Sequence, residues 1–144
     1  MIERIKQFLT QRVQQNARLS EQQALRLAFA ALLLEVTRAD FSVDAVEQQA
    51  VQRLLQSQFQ LNDDELAELV QDAEQQLNDS VSLYPFTQLI NQHYSPAAKA
   101  ELLEQLWRVA FADGVLDKYE DHLIRTLADL LHLSHSDFIR SKLR

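Results

Sequence analysis

One glycine and two prolines punctuate 144 residues. Hairpin turns, β-sandwiches and phosphate-cradling loops all draw on Gly and Pro for their sharp connections. A chain this poor in both is confined to elements whose connections close without them. Helices joined by side-chain-capped turns meet that condition. Leu and Gln, the most abundant residues, are good helix formers. The length suits a single compact domain with a sizeable core. The expected class is all-α.

Apolar spacing and capping residues divide the chain into seven to eight helices. Ile2, Ile5, Phe8, Leu9 and Val13 predict a first amphipathic helix over about residues 2–16. Ser20 with Gln23 opens a second, Asp44 with Glu47 a third and Asn62 with Glu65 a fourth. Pro85 suits the first turn of a short fifth helix, and Ser95-Pro96 starts the sixth. Asp117 with Glu120, then Ser134 with Asp137, open the last two. The run Leu27–Leu34 is apolar throughout and reads as a buried central helix. It is far short of the roughly 20 residues of a membrane span. The aromatic residues Tyr84, Phe86, Trp107 and Phe111 are expected in the core or half-buried.

Charge and missing residue types exclude several activities. No cysteine means no disulfide framework, zinc ribbon or thiol chemistry. A net charge of −7 argues against nucleic acid and against an anionic membrane surface. Met1–Leu9 carries charges at Glu3, Arg4 and Lys6 and no apolar run of signal-peptide length. Direct membrane insertion is therefore not expected, and the expected location is cytoplasmic. There is no P-loop, no Rossmann fingerprint and no Ser/His/Asp order. His132 and His135 flank the Ser134 cap and read as surface residues rather than a zinc pair, and His122 as a partly exposed helix residue.

The chain also repeats itself. Val36, Ala39, Asp40, Asp44 and Glu47 recur, at a constant offset, as Val109, Ala112, Asp113, Asp117 and Glu120. After a slip by a single position, Leu61-Asn62 matches Leu133-Ser134. The expected architecture is one domain over 1–144 with a pseudo-twofold duplication, its halves at about 20–80 and 95–144.

Each copy gathers three carboxylates at an interhelical corner. Asp44 and Asp117 suit N-caps, and Glu47 and Glu120 suit their capping-box partners. On this reading the corners are structural. Two features support a second reading, cation binding. The boxes at Asn62 and Ser134 carry apolar Leu66 and Phe138 at the staple position, whereas the acidic corners carry Gln48 and Asp121. Asp40 and Asp113 close the preceding helices, where negative charge costs about 0.3–1 kcal/mol. An Asx-type turn or a bound cation would each offset this. Oxygen ligands without thiolates suit Ca²⁺, Mg²⁺ or Mn²⁺. The spacing is neither an EF-hand loop nor a di-iron motif, since no Glu-x-x-His occurs.

With Leu83–Asn91 (LYPFTQLIN) lying between them, the two Ala-Asp-[Gly/Phe]-x-[Val/Leu]-Asp-x-x-Glu corners resemble the TerB tellurite-resistance family over about residues 24–144. The resemblance implies a compact TerB-like helical fold, similar also to the N-terminal module of a DnaJ-like co-chaperone. It further implies a metal site formed by Asp40, Asp44, Glu47, Asp113, Asp117 and Glu120. The chain departs from the family at Phe41, where the pattern favours Gly, as at Gly114. Gly enters the left-handed region after a helix without strain and Phe does not, which places the first corner's metal role in question. The expected function is a non-enzymatic stress or tellurite-resistance domain that binds a divalent cation, a protein partner, or both. The alternative is an interaction scaffold or co-chaperone-like regulatory module whose acidic corners act only as caps. A metal-dependent hydrolase is the least supported, because no base or nucleophile stands outside the cluster.

Overall fold

A computed structural model describes residues 21–38, 45–112, 114 and 117–143. All seven elements among them are helices, and no strand occurs among the described residues. They are α1 (residues 21–38), α2 (Ala45–Phe59), α3 (Asp63–Asp79), α4 (Tyr84–His93), α5 (Pro96–Ala110), α6 (Lys118–Leu130) and α7 (His135–Leu143). The helix expected over 2–16 lies outside the described residues, as do Ser20, Asp40, Phe41, Asp44 and Asp113.

The caps read from the sequence explain where the helices begin. At α3, Asn62 Oδ1 accepts from the Glu65 amide (2.8 Å) while Glu65 Oε1 accepts from the Asn62 amide (3.0 Å). Ser134 and Asp137 make the same reciprocal pair before α7, at 3.1 and 3.3 Å. Ser95 Oγ accepts from the Ala98 amide (3.1 Å) ahead of α5, and α4 places its proline in the first turn. Each pair satisfies N–H groups that a helix start leaves without intrahelical partners.

Two helices form the centre. Residues 28–34 and Val36 of α1 are all buried, which is why this segment is apolar on every side. In α5, Leu102, Leu103, Leu106, Trp107, Val109 and Ala110 are buried, and the helix packs against α2, α6 and α7. Each large apolar side chain so placed contributes about 1.5–3 kcal/mol relative to exposure. Phe29 of α1 meets Phe59 of α2 edge-on, with ring centroids 5.3 Å apart. Trp107 Nε1 donates to Ser141 Oγ at 3.1 Å. Ser141 Oγ in turn donates to the Phe138 carbonyl at 2.7 Å. A satisfied buried polar chain thus locks α7 to α5.

Two of the four aromatic expectations are corrected. Trp107 and Phe86 are buried, but Tyr84 is 57% and Phe111 41% exposed. Both stand at helix ends, Tyr84 opening α4 and Phe111 capping the C-terminus of α5, where Phe111 still lies against the Trp107 ring at 6.1 Å.

The turns after α2 and α6 are the same turn. Gln60 (φ 53°) and His132 (φ 61°) adopt the left-handed conformation without being glycine. The Leu61 amide then reaches back to the Gln56 carbonyl (3.1 Å), and the Leu133 amide to the Ala128 carbonyl (3.0 Å). This six-to-one bond closes the exposed carbonyl end of each helix.

Candidate functional site at the acidic corners

The second corner is built at the N-terminus of α6. Asp117 adopts an extended backbone (φ −78°, ψ 144°), and its Oδ1 accepts from the Tyr119 amide at 2.7 Å. Glu120 Oε1 accepts from the Asp117 amide at 3.4 Å, completing the capping box. Ahead of it, the Gly114 amide donates to the Phe111 carbonyl (2.8 Å) and Gly114 has φ +82°. This is the left-handed geometry that glycine was expected to supply there. Among the described residues no atom within 4 Å would meet an added Cβ, so the positive φ is what favours glycine there.

Of the six carboxylates singled out in the sequence, Glu47, Asp117 and Glu120 are described; Asp40, Asp44 and Asp113 lie outside the described residues. Among these, the structure joins Asp117 to Glu120. Glu47 occupies the first turn of α2, as Glu120 does in α6.

Burial sets these corners apart from the other boxes. Glu47 and Glu120 are each only 1% exposed, whereas Glu65, in the same box position of α3, lies in solvent. Asp137 at α7 is half-buried. Capping therefore does not require burial. A helix N-terminus supplies partial positive charge to a carboxylate, but an ionised carboxylate held out of water needs close compensation all the same. Sequence spacing marked these two positions; their depth comes from tertiary packing and leaves no local signal.

Asp121, at the staple position, forms ion pairs instead of an apolar contact. Its Oδ1 takes Lys142 Nζ at 2.9 Å, and its Oδ2 stands 3.8 Å from Arg125. Lys142 also lies over the Trp107 ring at 5.2 Å. The carboxylate that replaces an apolar staple thus ties α7 to α6. His122, His132 and His135 are all exposed.

The donor set is wholly oxygen, which fits a hard divalent cation in chemistry. Among the described residues, no three His, Asp or Glu side chains gather closely enough to hold one. Of the second corner's trio, only Asp117 and Glu120 fall among them.

An all-helical bundle with buried glutamates at two matched helix starts defines a helical domain with acidic corners. The chain belongs to the TerB family: the family model described as "Tellurite resistance protein TerB" matches residues 26–143. No curated protein and no solved structure matches it.

Proposed function

We propose that this TerB domain is a cytoplasmic, non-enzymatic module of the stress or tellurite-resistance type. In this reading it binds a hard divalent cation through its acidic corners and carries the bound state to a protein partner. Asp113, Asp117 and Glu120 form the principal ligand set, with Asp40, Asp44 and Glu47 as counterparts in a duplicated first half. The supporting observation is the burial of Glu47 and Glu120 at matched positions, against the solvent-exposed Glu65 of an ordinary box. A cation is an efficient compensating charge for carboxylates so placed. The capping box at Asp117 favours the second reading, a scaffold whose corners only start helices.

One double variant separates the two. Asn caps a helix as well as Asp, and Gln replaces Glu in a capping box. Asp117→Asn with Glu120→Gln therefore keeps the turn and removes two charges. For chelator-treated wild type, Ca²⁺, Mg²⁺ or Mn²⁺ is expected to raise Tm. At a concentration about 100 times Kd the stabilisation reaches about 2.7 kcal/mol. The variant is expected to retain the metal-free Tm and lose the rise. If none of the three ions at millimolar concentration moves the wild-type Tm, the cation reading fails and the scaffold reading stands.

A further inference from the structure

Leu83–Asn91, the segment between the two corners, plays no part in either of them. It builds α4, anchored by buried Phe86, Thr87 and Ile90. Tyr84, Gln88, Asn91 and Gln92 face the other way and line a half-open notch of about 350 Å³, bordered on its other side by Asp129, Leu130 and His132. That volume lies at the lower end of the range for small-ligand pockets, about 300–1,000 Å³. α4 and α6 are tied across it by Asn91 Nδ2, which donates to the Leu130 carbonyl at 2.9 Å. With the amide nitrogen committed there, Asn91 Oδ1 is a buried acceptor with no donor among the described residues.

The lining holds one carboxylate, Asp129. The cavity sits at the C-terminus of α6, where backbone carbonyls concentrate negative charge. Lys99 Nζ already donates to the Leu131 carbonyl there, at 3.2 Å. Asp129 is exposed and makes no ion pair among the described residues. Tyr84 presents an exposed ring, and the wall contains neither Lys nor Arg.

We propose that this notch binds a guanidinium group. Asp129 offers a carboxylate for paired N–H bonds, the amide oxygens of Gln88 and Gln92 offer further acceptors, and Tyr84 offers an aromatic face. A planar guanidinium uses all three, whereas an ammonium is a point charge that does not stack. The group is supplied either by a free arginine-like molecule or by an arginine side chain of a partner protein. The proposal is independent of the cation reading. Asp117 and His132 flank opposite ends of α6. A helix of that length holds them roughly 20 Å apart.

The test is an amide-resolved NMR titration of the full chain with free arginine, with a blocked peptide holding one Arg between alanines, and with citrulline, which has arginine's shape without its charge. Saturable shifts are expected for residues 88–92 and 129–132, including the Asn91 side-chain amide, with either arginine source and not with citrulline. Tighter binding of free arginine assigns a small-molecule site, and tighter binding of the peptide assigns a partner's side chain. Asp129→Asn, an exposed and charge-only change, is expected to weaken binding about fivefold with an unchanged Tm. Tyr84→Ala should weaken it similarly, and Asp117→Asn with Glu120→Gln should leave it intact. Equal shifts with citrulline, or arginine shifts that neither saturate nor respond to Asp129→Asn, would overturn the proposal.

Discussion

Glu35 shows what a single half-buried carboxyl does in this fold. Burial in α1 pushes it above its ordinary value of 4.5, and Arg38 draws it part of the way back. A carboxyl raised in the folded state holds its proton more tightly there than in the unfolded chain. Its contribution favours folding below the unfolded value and is lost as pH rises through the folded one. Glu35→Gln is accordingly expected to raise Tm at neutral pH, with the gain shrinking as the pH falls to about 4. Equal gains at both pH values, read by thermal melts, would mean that charge burial is not the cause. Gln60 makes the complementary point about backbone. It is a non-glycine residue at φ 53°. Such a residue carries a steric cost of about 1 kcal/mol that glycine avoids. Gln60→Gly should therefore stabilise by about 0.5–1 kcal/mol in denaturant melts, despite removing a side chain. A loss of stability would show that the Gln60 side chain contributes more than its strain.

At the scale of elements, α3 stands alone in its charge. It holds Asp63, Asp64, Glu65, Glu68, Asp72, Glu74 and Asp79 and no basic residue. The first three stabilise its N-terminus through the helix dipole, but Asp64, Glu68 and Asp72 follow one another on successive turns and repel. Glu68→Lys turns those like-charge pairs into favourable ones. It should stabilise by about 0.2–0.5 kcal/mol per pair at low salt, with the gain fading as ionic strength rises. A gain that persists in high salt would point to a non-electrostatic origin. Helix starts were legible in the sequence because their signals are local: Asn62, Ser95, Asp117 and Ser134 all cap as their spacing predicted. The ends of α2 and α6 were not, since Gln60 and His132 occupy positions where sequence reading looks for glycine.

Across the whole molecule, class and family were legible while depth was not. The scarcity of Gly and Pro implied helices, and the paired corners with Leu83–Asn91 carried the likeness to TerB. Glu65 and Glu120 sit at the same place after a cap, and the staple position that differs between them, Leu66 against Asp121, does not report depth; packing buries one of them. The same limit hid the outward face of α4, whose Tyr84 was expected in the core or half-buried and is 57% exposed.

The charge of α3 has a consequence for the molecule as a colloid. The whole chain carries 21 acidic and 14 basic residues, and removing the seven acids of α3 leaves 14 against 14. One helix thus carries as many acidic residues as the chain's whole excess of acid over base. A polycation laid along that helix would bring the molecule to electroneutrality through a single contact.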